Sequence, residues 1–122
     1  MKKNIALVLS SGGARGFAHI GAIKMLERQG YNITSVAGAS MGALVGGIYA
    51  SGLLPQFEEW ATTIDKMEVL RLTDVTLSSR GLVKGKKIIE KLKEIVPDRN
   101  IEDLRIPFCA VATDILKGKE KV

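Results

Sequence analysis

The sequence predicts a three-layer α/β/α domain built on a mainly parallel sheet, and three observations carry that prediction. The apolar runs Ile5 to Leu9 and Phe108 to Ala112 are continuous rather than alternating, as in parallel strands covered on both faces. Other segments repeat their apolar residues at helical spacing. The order strand, small-residue turn, helix occurs twice in succession, which implies right-handed crossovers between parallel strands. A chain of 122 residues, 46% hydrophobic and 25% charged, suits one such domain.

The elements follow in order. Ile5 to Leu9 is the first strand and Ser10 to Gly16 a turn of small residues. Phe17, Ile20, Ile23 and Leu26 then recur every three residues along a helix that Gly30 closes in a left-handed conformation. Ile33 to Ala39 is the second strand, Ser40 the turn, and Met41 to Ser51 a second helix closed by Gly52. Pro55 suits the first turn of a third helix running to about Ile64. Residues 65 to 82 are apolar without one convincing period and read as helix followed by irregular chain. Ile88, Ile89, Leu92, Ile95 and Val96 fall on one helical face, and Pro97 stops that helix. Phe108 to Thr113 is a further buried strand, followed by a turn at Lys117 to Lys119 and the start of another strand at Glu120 to Val122.

Composition limits the function classes. The formal charge of +5 gathers in Lys84 to Lys93 and Lys117 to Lys121; it suits a solvated basic face that can meet an anionic lipid surface, and no nucleic-acid motif accompanies it. Cys109 is the single cysteine, so no intrachain disulfide forms, and its apolar surroundings suggest a buried, inert thiol in a reducing, cytoplasmic compartment. Lys2 and Lys3 before Ile5 to Leu9 imitate a signal peptide, but the apolar stretch is shorter than the ~7 to 15 residues such a signal needs. No window approaches the ~18 apolar residues of a membrane span.

The chemistry lies in two turns. Gly38-Ala39-Ser40-Met41-Gly42 fits the G-x-S-x-G elbow, in which a sharp strand-to-helix turn presents the serine hydroxyl and the flanking glycines avoid clashes. The bare pattern recurs by chance, but here it follows a strand and opens a helix. Ser11-Gly12-Gly13-Ala14-Arg15-Gly16 lies at the carboxyl end of the first strand, the edge where parallel sheets place their ligand sites. Gly12 and Gly13 allow close backbone approach, and the N–H groups of Gly13, Ala14 and Met41 form an oxyanion hole for a developing negative charge. No metal or cofactor is called for.

The run Ser11 to Gly21, SGGARGFAHIG, followed about twenty residues on by GASMG, resembles the patatin-like phospholipase family. The likeness covers essentially the whole chain, including CAVATDILKG at Cys109 to Gly118. It implies a patatin-like α/β fold, a Ser-Asp dyad without histidine, and hydrolysis of fatty acyl esters of (phospho)lipids by a serine esterase of phospholipase A type. Ser11 stands where many relatives have glycine. The family's catalytic aspartate belongs to a D-G-G or D-G-A segment beyond the strand at residues 108 to 114, and here Asp65, Asp74, Asp98, Asp103 and Asp114 all lack a following glycine. The resemblance therefore implies that residues 1 to 122 are the N-terminal part of one patatin-like domain, a truncated form whose intact natural mass would exceed 13.2 kDa.

His19 reads as structural, since the resembled family manages without a catalytic histidine. Arg15 either pins the turn through nearby carbonyls or anchors a substrate phosphate. A dinucleotide fingerprint fails because position 11 is serine and no acidic residue ends the second strand, and Gly81 to Lys87 lacks P-loop spacing. Leu53, Leu54, Phe57 and Trp60 either pack over the sheet or belong to a mobile cap over acyl chains. The alternative for the whole chain is a non-catalytic module that binds lipid or a protein with Ser40 unreactive. A truncated sheet also leaves an unpaired edge, and self-association is expected from it.

Overall fold

The computed structural model describes residues 2–64 and 89–122. In chain order these form β1 (Lys3–Leu9), a 3₁₀ turn (Gly13–Phe17), α1 (Ala18–Arg28), β2 (Tyr31–Ala39), α2 (Met41–Ser51), α3 (Leu54–Thr63), a helical stretch over residues 89–95 (α4), a second 3₁₀ turn (Ile101–Asp103), β3 (Phe108–Asp114) and β4 (Lys119–Lys121). The expected helix-then-irregular segment at residues 65 to 82 and the start of the helix at Ile88 lie outside the described residues.

The sheet is mainly parallel, in the order β1-β2-β3-β4: β1 with β2 and β2 with β3 are parallel, and only β4 runs back antiparallel on β3. Because the strands advance in one direction with right-handed crossovers, both crossover helices fall on the same face. There Leu9, Ile20, Ile23, Ile33, Val36, Val45, Ile48, Leu54 and Phe57 form one buried cluster, with Leu92 and Val96 of the α4 region packed against it. Phe57 is fully buried and stacks on Phe17 at 5.9 Å, and Trp60 leans on Phe57 at 5.6 Å. The described part of the 53 to 82 segment is thus ordinary packing against the core. Lys24 of α1 pairs with Glu58 of α3 at 2.7 Å, both half exposed, which adds little to stability.

Three expectations need correction. Among the described residues β1 is not a central strand covered twice but lies at the edge of the sheet, and its residues alternate, with Leu9 buried and Val8 78% exposed. The cause is the one-sided placement of the helices among the described residues, which leaves Ala6 and Val8 on the open face. For the same reason β3 is half-buried and so is Cys109, neither being fully enclosed. Finally, the turn after β1 is partly helical: Gly13–Phe17 is a 3₁₀ turn, so Phe17 precedes α1 instead of opening it.

The helix ends fall where turn chemistry places them. Gly52 closes α2 at φ 81°, with its N–H bonded back to Tyr49, and Pro55 occupies the first turn of α3.

Candidate active site

β2 ends at Ala39 and α2 begins at Met41, so Ser40 alone makes the turn. Its φ of 53° and ψ of −125° make it the one non-glycine with positive φ among the described residues. Such a conformation costs ~1–3 kcal/mol and persists only where the surroundings enforce it. Here the Ser40 carbonyl accepts from Ala43 at 3.0 Å and Leu44 at 3.1 Å, locking the turn to the first turn of α2. The side chain makes no capping bond to that helix and is exposed, which leaves the hydroxyl available.

The glycines of the elbow are there for space. A Cβ on Gly42 would collide with the carbonyl oxygens of Leu9 and Ser10, and one on Gly38 would collide with the backbone of Gly42. The start of α2 therefore rests directly on the end of β1. Gly16 does the same from the other side, since a Cβ there would collide with the Met41 side chain. These approaches bring the two sequence motifs, Ser11 to Gly16 and Gly38 to Gly42, to the carboxyl ends of neighbouring strands, as the register of Leu9 opposite Gly38 requires.

The backbone donors follow from this. Met41 is the first residue of α2, and Gly13 and Ala14 open the 3₁₀ turn, so their N–H groups have no acceptor within their own helices. The Arg15 N–H, by contrast, is taken by the Gly12 carbonyl at 3.0 Å. Gly12 itself has a φ of 150°, and the Ser11 and Arg15 side chains are exposed.

His19 is structural, as the sequence leads one to expect, and it ties the glycine turn to its helix. His19 Nε2 lies 2.8 Å from the Ser10 carbonyl oxygen. A carbonyl only accepts, so Nε2 carries the hydrogen. The spacing of a histidine one turn after a glycine loop was the available signal, but it names no partner. The aspartates are also accounted for where they are described: Asp98 pairs with Lys93 at 2.8 Å, Asp103 accepts from Asn100, and Asp114 Oδ1 accepts from the N–H groups of Leu116 and Lys117.

A cavity of about 550 Å³ lies elsewhere, lined by Lys24, Glu27, Asn32, Tyr49, Glu58 and Arg105 among others. Asn32 is eight residues before Ser40, about 26 Å along the strand at ~3.3 Å per residue, so this cavity is remote from the elbow.

A family model described as Patatin-like phospholipase matches residues 7–118. The chain belongs to the patatin-like phospholipase family. An uncharacterized NTE family protein of Mycobacterium tuberculosis (strain ATCC 25618 / H37Rv) is 49% identical over 115 residues, covering 94% of this chain and 32% of that relative. A counterpart in Mycobacterium bovis has the same identity and coverage. The neuropathy target esterase sws of Drosophila persimilis is 38% identical over 124 residues, covering 98% of this chain and 9% of its own length. The chain thus spans about a third of the mycobacterial relatives and less than a tenth of the fly protein. Its sheet, mainly parallel with helices packed against it, is the patatin-like α/β fold. Among the described residues no helix is long and apolar enough to cross a membrane.

Proposed function

We infer that this patatin-like chain carries the nucleophile of a serine acyl hydrolase that cleaves fatty acyl esters of (phospho)lipids, acting in the cytoplasm or at a membrane surface. The observation that carries the reading is Ser40 itself: an exposed hydroxyl on a positive-φ turn, locked between Gly38 and Gly42 beside a second turn whose Gly13 and Ala14 N–H groups have no acceptor within their own helix. The name of the fly relative, an esterase, points the same way.

In this reading Ser40 Oγ attacks the ester carbonyl carbon as its proton passes to a carboxylate base. The carbonyl oxygen becomes an oxyanion, held by the N–H groups of Gly13, Ala14 and Met41 where Gly12 lets the backbone approach. The C–O bond to the alcohol breaks, the alcohol leaves with the proton, and water then releases the fatty acid from the acyl-enzyme. The base is an aspartate before Gly-Gly or Gly-Ala, a segment absent from residues 1 to 122. Without it Ser40 keeps a poorly nucleophilic hydroxyl, and loss of a general base costs ~10² to 10⁴ in rate.

A second reading takes residues 1 to 122 by themselves, which hold no aspartate before glycine, as a lipid- or protein-binding module with Ser40 unreactive. Ester turnover separates the two. Hydrolysis of a short-chain acyl ester, abolished by Ser40→Ala, supports the hydrolase; turnover unchanged by that substitution, or none even in a longer natural form bearing the aspartate segment, rejects it.

A further inference from the structure

The β3–β4 turn presents Ile115 and Leu116 at 89% and 98% exposure, the most exposed large apolar side chains among the described residues. They are not a frayed loop. Asp114 Oδ1 accepts from both the Leu116 and the Lys117 N–H groups at 3.1 Å, an Asx-type turn that fixes the pair outward. The Gly118 φ of 59° completes the reversal into β4.

Around this apolar tip Lys117, Lys119 and Lys121 stand against Asp114 and Glu120, a small positive excess. Lys119 pairs with Asp114 and Lys121 with Ala112 across the antiparallel ladder, so both lysines share one face, while Glu120, opposite Thr113, takes the other. Lys117 lies in the turn itself. The Asp114 carboxylate is turned inward onto the Leu116 and Lys117 N–H groups, so an apolar tip with lysines on one face is left to meet the headgroup layer of an anionic membrane.

Its position relative to the elbow gives the pattern meaning. Ala39 is paired with Val111, and β3 continues three residues past that level to Asp114. At ~3.3 Å per residue the tip stands about 10 Å beyond the end of β2, on the side of the sheet where Ser40 sits. Interfacial elements bury their apolar residues about 5–10 Å deep. A tip inserted to that depth brings the Ser40 end of the sheet level with the headgroups, where the ester bonds of phospholipids lie.

We propose that Ile115 and Leu116 form a membrane-docking tip, with Lys117, Lys119 and Lys121 binding lipid phosphates, which seats the Ser40 turn on an anionic bilayer. The assignment rests on the lipid-hydrolase reading, deepening it by naming the surface on which the substrate is met.

The test is co-sedimentation of the Ser40→Ala chain with vesicles of phosphatidylcholine, with and without phosphatidylglycerol. Binding is expected to the mixed vesicles and to weaken with salt. Ile115→Ser with Leu116→Ser is expected to lower the partition coefficient on the order of tenfold, and each lysine changed to glutamine about fivefold. Because these side chains are exposed, the variants should keep the unfolding midpoint of the parent. Equal binding by parent and double-serine variant overturns the proposal, as does absence of binding by the parent. A double-serine variant that unfolds earlier, or dissociates from a dimer, also overturns it, since the tip is then covered by protein. Ser40-dependent cleavage of a dispersed short-chain ester without vesicle binding rejects the tip alone, whereas vesicle binding with no such cleavage even by a longer natural form bearing the aspartate segment rejects the hydrolase reading alone.

Discussion

Gly42 rests on the carbonyl oxygen of Leu9, and this contact joins the start of α2 to the end of β1. It leaves no room for a methyl group, although the position is helical and alanine is the better helix former.

Gly42→Ala is therefore expected to destabilise the fold by about 1–3 kcal/mol, the usual cost of forcing a methyl into a packed site. Gly21→Ala is the control: it lies inside α1 with open space around it, and should stabilise by about 0.5–1 kcal/mol. Urea unfolding of the pair checks both, and equal effects of the same sign would contradict the packing of the elbow.

Ser40 occupies a conformation that glycine adopts freely. Ser40→Gly should accordingly unfold about 1 kcal/mol later than Ser40→Ala, because only the alanine variant retains the strained Cβ. Both lose the nucleophile. Comparing their unfolding free energies isolates backbone strain from chemistry.

Tyr49 donates to Glu27 at 2.8 Å, and partial burial, reinforced by that bond and by the carboxylate charge, pushes its pKa from 10.0 up to about 12. The folded state therefore holds the phenol proton more tightly than the unfolded one. The stabilisation is complete below pH 10 and is lost as pH rises from 10 through about 12. Tyr49→Phe should flatten the alkaline fall in stability across that window; an unchanged alkaline profile would show that the folded state does not retain the proton.

The outer edge of β1, Lys3–Leu9, has no partner strand among the described residues, with only Lys2 and Lys3 as charges to discourage pairing. Concentration-dependent self-association is expected by light scattering. A strictly monomeric mass at all concentrations would contradict it.

Much of this architecture was legible because it is written locally. Met41 to Ser51 was bounded correctly at both ends, since a serine elbow precedes it and Gly52 supplies the left-handed cap. α3 was legible through Pro55, and β4 through Lys117-Gly118, although it begins at Lys119, one residue before the expected Glu120. What failed depended on distant neighbours. A continuous apolar run does not tell a strand covered on both faces from one covered, among the described residues, on a single face, so Val8 reads as enclosed although it lies in solvent. The 3₁₀ turn at Gly13–Phe17 is too short to show a period. At the site, the G-x-S-x-G spacing identified Ser40, but the contacts of Gly16 with Met41 and of His19 with Ser10 are tertiary facts without a motif. The Glu27–Tyr49 bond joins two helices twenty-two residues apart and left no sequence trace.

The central claim is that the Ser40 turn presents a nucleophile, and fluorophosphonate labelling mapped by mass spectrometry tests it most directly. The chain, its Ser40→Ala variant and a longer natural form bearing an aspartate before Gly-Gly or Gly-Ala would be compared. The account predicts one adduct, on Ser40, in the longer form, with little or none in the chain alone and none in the variant. An adduct on another residue, or no adduct on Ser40 in the longer form, would contradict it.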